Sequence, residues 1–276
     1  MTTVTEPRKE YTYYLKDVER NRAAVAGERE VKRGGIKFLT PLASMCCAIT
    51  YRADQTQIFT QYATLTDEGT AAYEKYKDLS SFYGATGRTV DGLVGLIFSK
   101  KAIKELPPLV QYLDENADSR GSTLRDLAKK ACNEAFISPR SGLLVARPTT
   151  PQGSSNADVE ANNLIPKILH YRFEDIINWN YEVIDNVEKL ALLVLRELKT
   201  KRTGYKIEVE YQYRVLELID GVYNQSLYDH AGSIVNAIEP VLVNNVTSRE
   251  IPFYFIECGS EGKAIINDLF AMIFYH

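Results

Sequence analysis

The chain has 276 residues, 45% of them hydrophobic and 25% charged, with a formal net charge of −3. That is enough to bury an ordinary core as one large domain or two small ones. The slight acidic excess argues against a dedicated nucleic-acid binder, which carries a basic surplus. The four cysteines, Cys46, Cys47, Cys132 and Cys258, contain no CxxC pair and read as reduced thiols rather than a disulfide or zinc framework. The first seven residues lack the apolar stretch of a secretory signal. The longest apolar run, residues 190–195, is far too short to cross a bilayer, so the chain reads as soluble and intracellular.

Residues 1–60 are polar and broken by Gly27, Gly34, Gly35 and Pro41, which predicts an arm outside the core, with short extended pieces at 11–18 and 36–39. From Thr66 the pattern turns helical. Thr66 followed by Asp67 and Glu68 is an N-cap with an acidic first turn, and Ala72, Tyr76, Leu79 and Tyr83 recur on one face until Gly84. Residues 88–98 repeat the helical spacing through Val90, Leu93, Val94 and Ile97. Leu96 and Phe98 widen the stripe and predict burial on more than one side. Pro107 and Pro108 open a short helix. Ser122 is the expected cap of another, whose stripe is Leu124, Leu127, Ala128, Ala131 and Ala135 and which Ser138-Pro139 ends.

Beyond residue 140 the periodicity shortens. Residues 142–147 read as a short strand, and Pro166 sets off the segment 168–171. Residues 148–156 form an exposed loop, with a brief helix after it, and residues 173–179 read as a helical turn seating Trp179. Residues 190–198 form a strand, and the polar stretch 199–204 the loop of a hairpin. In the return strand Tyr205, Ile207, Val209, Tyr211, Tyr213 and Val215 share one face, predicted buried, while Lys206, Glu208, Glu210, Gln212 and Arg214 share the wet one. Asp220-Gly221 turns the chain into a third strand at 222–228. Residues 251–257 are a last strand whose Pro252 suits a sheet edge or a strand start, and an apolar helix starts at Lys263. The fold class is therefore α+β: a helical first half (61–140) after the arm (1–60), an antiparallel meander (141–258), then the start of a helix (259–276).

Reactive constellations are scarce. The histidines, His170, His230 and His276, have no metal-ligand spacing, and neither GxSxG nor GxxxxGK[ST] occurs. The glycine-bearing stretch 84–89 lacks the lysine of a phosphate loop and reads as a turn between helices. Carboxylate pairs such as Asp67-Glu68 and Asp114-Glu115 fall at helix ends, where solvation explains them. Lys100, Lys101 and Lys104 form a basic cluster, a candidate contact for DNA or a partner that also suits a helix C-terminus. No catalytic, cofactor-binding or metal residue is assigned, and no cofactor is expected.

Four ordered stretches carry a resemblance: Tyr83 to Phe98 (YGATGRTVDGLVGLIF) with Leu106-Pro107; Gly142-Leu143-Leu144-Val145 running into Arg147-Pro148; Ile176-Ile177-Asn178-Trp179 with Arg196-Glu197 and Tyr211-Gln212-Tyr213-Arg214-Val215-Leu216; and Ile251-Pro252-Phe253-Tyr254-Phe255 with Asp268-Leu269 and Tyr275-His276. In order and spacing the chain resembles the portal proteins of tailed bacteriophages. It departs from them at Ile165-Pro166-Lys167 and Ile265-Ile266-Asn267, and the family continues past the Tyr-His into the clip, return stem and crown.

The resemblance implies a portal wing-like fold ending in a truncated stem-like helix, and a structural, non-enzymatic role. Such subunits form a ring, typically twelve-fold, at one capsid vertex. They dock the terminase and the head-tail adaptors, contact the major capsid protein, and let double-stranded DNA pass non-specifically during packaging and ejection. The implied location is the virion, assembled in the host cytoplasm, with no membrane partner. Phe270, Ile273 and Phe274 are the candidate subunit contacts. Two other readings stay open: a stand-alone phage-derived binding or adaptor module with the wing fold and no channel, and a nucleic-acid-processing enzyme.

Overall fold

The computed structural model describes residues 3–53, 59–147, 165–240, 242–243, 246–257 and 263–267. In chain order the main elements are α1 (Lys9–Ala26), α2 (Glu28–Gly34), β1 (Cys46–Ala53), β2 (Phe59–Leu65), α3 (Asp67–Leu79), α4 (Ala85–Ile97), α5 (Leu124–Ile137), β3 (Arg140–Ala146), β4 (Lys167–Tyr171), β5 (Ile176–Ile184), β6 (Val187–Thr203), β7 (Lys206–Ile219), β8 (Val222–Tyr228), β9 (Ile234–Pro240), β10 (Leu242–Val243), β11 (Val246–Thr247) and β12 (Phe253–Glu257). The architecture is α+β, helices first and an antiparallel meander after them. The expected loop 148–156, the helix following it and most of the helix expected from Lys263 lie outside the described residues.

The chain divides into two compact units, one of residues 1–11, 104–131 and 140–257, the other of residues 12–103, 132–139 and 258–276. In the second unit the predicted arm is corrected. Where extended pieces were expected at 11–18, α1 forms a continuous helix, and Val18, Ala24, Val31 and Leu39 are buried. One cluster packs Ala23, Val31 and Leu39 with Phe38, Tyr76 and Phe82; another packs Val90, Phe136, Ile137 and Ile266 with Val25, Val94 and Cys132. Several of the polar groups closed in here are paired, as low-dielectric burial favours. Asn21 Nδ2 donates to the Ile137 carbonyl at 3.0 Å, and Arg22 forks onto the buried Glu134 carboxylate, which also accepts from Ser138 Oγ at 2.9 Å.

The helix signals are legible in detail. Thr66 caps α3, its Oγ1 accepting from Gly69 N at 2.8 Å. At α5 the cap is Thr123 rather than the expected Ser122: Thr123 Oγ1 accepts from Asp126 N at 3.1 Å while the Asp126 carboxylate accepts from Thr123 Oγ1 at 2.7 Å. Ser122 Oγ instead accepts from Lys130 Nζ. The buried faces differ from the predicted stripes. α3 buries Gly69 and Tyr73, not Leu79 or Tyr83, and α4, expected to be buried on several sides, buries only Thr86 and Val90.

The first unit holds a three-stranded sheet, order β12-β3-β4, and a five-stranded meander, order β5-β6-β7-β8-β9. β12 is an edge strand beginning just after Pro252. Trp179 sits on β5, because the expected helical turn is limited to one 3₁₀ turn, Phe173–Asp175. Its ring meets Phe255 of β12 edge-on at 6.2 Å and so joins the two sheets, while within the three-stranded sheet Tyr171 meets Phe253 at 6.3 Å. The strands β5, β6, β7 and β8 are linked by two-residue turns. Asp185-Asn186 and Asp220-Gly221 both take positive φ at both central positions, the type I′ signature, and Gly204 (φ 63°) occupies the position where a type II′ turn places glycine. Residues 199–203, expected as loop, are strand, which lengthens β6 to 17 residues.

Candidate interaction surfaces

That extra length has a consequence for the meander. β5 pairs with β6 only as far as Leu195, and β8 pairs with β7 only as far as Tyr213. From Glu197–Gln212 to Thr203–Lys206 the β6–β7 pair continues alone for seven rungs, a two-stranded ribbon about 20 Å long. The predicted alternation is correct and the predicted burial is not. Val215 is buried, but further out on the same face Tyr211 is 47%, Val209 57% and Ile207 65% exposed, and Tyr205 at the turn is fully exposed. Leu198, paired with Tyr211, is bare on the same side. Periodicity reveals which side chains share a face; whether anything covers it depends on neighbouring strands that stop earlier.

The opposite face is charged and self-paired at its root. Glu197 accepts four hydrogen bonds: from Arg214 Nε at 2.7 Å and Nη2 at 3.1 Å, from Tyr171 Oη at 2.6 Å and from Gln212 Nε2 at 2.9 Å. Burial pushes the Glu197 carboxyl up, but the Arg214 guanidinium and the other donors outweigh it and hold the group below its ordinary value. Burial and the neighbouring Glu197 push the Tyr171 phenol well above its usual range. Neither group exchanges a proton near neutral pH, so the cluster fixes geometry rather than supplying an acid or base. Further out, Lys199 faces Glu210 and Lys201 faces Glu208 across the strands.

A second apolar surface lies on the helices. Among the side chains α4 leaves bare, Leu96 is 71% and Ile97 57% exposed, with Leu93 beside them, and a Cβ added at Gly92 or Gly95 would meet open space. Leu79 at the end of α3 and Tyr83 before α4 are bare too. Of the basic cluster, Lys100 and Lys101 are exposed just past α4, while Lys104 is ion-paired with Asp114. The other candidate contacts, Phe270, Ile273 and Phe274, lie outside the described residues.

A third feature is the seat of Trp179. Arg140 Cζ lies 4.6 Å from the ring centroids of both Trp179 and Phe255, and Arg8 Cζ lies 5.1 Å from Trp179. Arg8 N donates to the Ile177 carbonyl and Tyr11 Oη to that of Glu174, fastening the first residues along β5. Among the described residues no three His, Cys, Asp or Glu side chains gather as a metal site would require, and no helix is long and apolar enough to cross a membrane. Compared with known proteins, the chain matches no family model and no curated protein.

Proposed function

We propose that the chain is a structural subunit of the tailed-phage portal type, or the wing-like part of one. In this reading it assembles with copies of itself into a ring at a capsid vertex. Double-stranded DNA passes through the ring without a sequence-specific grip, and terminase, head-tail adaptors and capsid protein dock around it. The chain performs no chemical step; its place is the virion, after assembly in the host cytoplasm. The observation that carries the reading is the bare apolar face of the β6–β7 ribbon. A two-stranded ribbon is marginal in water unless its dry side is covered, and covering it is what a subunit contact does. The structural use of the best-organised polar groups, Glu197 with Arg214 and Glu134 with Arg22, fits the same role.

Native mass spectrometry and electron microscopy of the purified chain test this. Closed rings of roughly ten or more copies are the expected result, since heterologous contacts that close produce rings. A monomer at every concentration would overturn the reading in favour of the stand-alone binding module.

A further inference from the structure

We propose that the segment leading into α1 is a strap that guards the free edge of β5 and keeps it from pairing with β5 of a second copy. β5 bonds β6 on one side only and closes the five-stranded meander at that end. Ile177 is skipped in the β5–β6 register, and its carbonyl accepts from Arg8 N at 2.9 Å instead. Two residues on, the Trp179 carbonyl accepts from Arg8 Nη1. At Lys9 the chain turns into α1 and no longer runs beside the strand, so the guanidinium stands in for the next backbone N–H. It also lies over the Trp179 ring and pairs with Glu10 at 2.9 Å, while Tyr11 stacks on Phe173 at 5.4 Å and donates to the Glu174 carbonyl.

The other sheet edges carry protection of their own, and β5 does not. β9 ends on Pro240, β12 begins just after Pro252, and Ile168 N of the edge strand β4 donates to the Ala117 carbonyl. β5 reads Ile-Ile-Asn-Trp-Asn-Tyr-Glu-Val-Ile, with no proline, glycine or lysine and a single charge, the composition that pairs with further strands when left open. A second β5 fits it. In an antiparallel pairing centred on Asn180, Trp179 meets Tyr181 of the other copy, Ile177 meets Val183, and Glu182 meets Asn178. Large apolar and aromatic side chains then face each other and no like charges do. That register needs the outward bonding groups of residues 177, 179, 181 and 183 on both copies. Arg8 takes the carbonyls of the first two, so with the strap seated on each copy no bonded pair of the register is complete.

Arg8→Ala frees the Trp179 carbonyl and ring and leaves β5 itself unchanged. By analytical ultracentrifugation this variant is expected to reach at least twice the sedimenting mass of the unchanged chain at equal concentration, with Trp179 emission shifted to longer wavelength. Losing a charge-assisted bond that must open before pairing corresponds to association tighter by about tenfold or more. Asn180 is exposed, so the folded chain tolerates Asn180→Lys, which sets lysine on lysine across the centre of the pairing. Arg8→Ala with Asn180→Lys is therefore expected to return to the unchanged mass, and so is Arg8→Ala with Asn180→Glu. An equimolar mixture of these two double variants is expected to associate again. If Arg8→Ala loses its far-UV circular dichroism, Arg8→Lys keeps the charge and the backbone bond but not the flat fork, and is the milder release. A folded release variant with the mass of the unchanged chain would show that the strap guards nothing. Association that persists with Asn180→Lys overturns β5 as the route, and unfolding of both Arg8 variants would make the segment part of the core rather than a guard. The doubling is read against the unchanged chain, so the outcome does not depend on whether that chain forms a ring.

Discussion

Glu197 and Arg214 meet as diagonal neighbours on the charged face of the β6–β7 pair, both Arg214 nitrogens within 3.1 Å of the carboxylate oxygens. Tyr171 Oη and Gln212 Nε2 close the remaining lone pairs, so strands β4, β6 and β7 converge on one carboxylate. Glu197→Ala strands the Arg214 guanidinium and the Tyr171 hydroxyl. The expected loss is about 2–4 kcal/mol in urea unfolding, the scale for breaking a part-buried pair from one side. Because folding holds the Glu197 carboxyl below its ordinary value of 4.5, its contribution is complete above that pH and is lost as pH falls through the lowered folded value. The acid limb of the stability–pH curve should therefore flatten in Glu197→Gln. An unchanged acid limb would show that the node adds nothing to folding.

The alkaline side carries the opposite sign. Burial pushes the Tyr223 phenol up to about 12, and Tyr171 is pushed up further by burial and by Glu197. A group whose folded pKa is raised contributes fully below its unfolded value near 10 and loses that contribution as pH climbs through the folded one. Stability should fall steeply between about pH 10 and 12. Phenolate absorbance should then show a late, cooperative component that tracks loss of circular dichroism. Tyr171→Phe and Tyr223→Phe should diminish it, and the remainder belongs to Tyr73, which burial also pushes up to about 12.

Local chemistry was legible from the residues alone where one side chain dictates one backbone event. Thr66 caps α3, Asp220-Gly221 makes a turn, and Ser138-Pro139 lies just past the end of α5. The fold class followed, since a 3.6-residue period before residue 140 and a 2-residue period after it can hardly be packed otherwise. What stayed hidden depends on partners distant in sequence. α1 looks polar because most of its residues are wet; only Val18, Asn21, Ala23, Ala24 and the end residue Tyr11 mark its inner side. The Asp185-Asn186 turn was missed because it lacks glycine, and the cap of α5 slipped by one residue because Ser122 and Thr123 are both competent and only the reach of Asp126 decides. The two candidate surfaces were missed for a different reason: apolar alternation normally means burial, and here it continues past the strands that would supply it.

The α5 cap gives a clean contrast between adjacent residues. Thr123→Ala removes the oxygen that receives Asp126 N, and it should cost about 1 kcal/mol. Ser122→Ala loses an exposed bond from Lys130 and the hydroxyl's bond to the Asp118 carboxylate, and should cost less than the cap, about half a kcal/mol. Chemical unfolding of the two variants side by side decides the assignment; equal losses would return the cap to Ser122.

Gly142 has no room for a methyl group. A Cβ there would lie 2.0 Å from Cζ of Phe253, a buried ring held against Phe255 and Tyr171 across the β3–β12 pair. The ring is not free to swing away, so Gly142→Ala should cost about 1–3 kcal/mol by overpacking. Trimming the obstacle should uncouple the two sites. In Phe253→Leu the same glycine substitution should become nearly neutral, a coupling of about 1 kcal/mol or more in a double-mutant cycle. Strict additivity would mean that the strain lies in the β3 backbone instead.

Arg140 separates the effect of charge from that of a flat cation. Its guanidinium stands over Trp179 and Phe255 at once and pairs with Glu257 on β12. Lysine would keep the charge and the reach to Glu257, but an ammonium cannot lie flat between two rings. If stacking dominates, Arg140→Lys should lose nearly as much stability as Arg140→Ala, on the order of 1–2 kcal/mol. Trp179 is the sole tryptophan and so reports the event directly. Its emission should shift to longer wavelength in both variants as water reaches the ring. Full rescue by lysine would assign the contribution to the Glu257 ion pair and make the aromatic seat incidental.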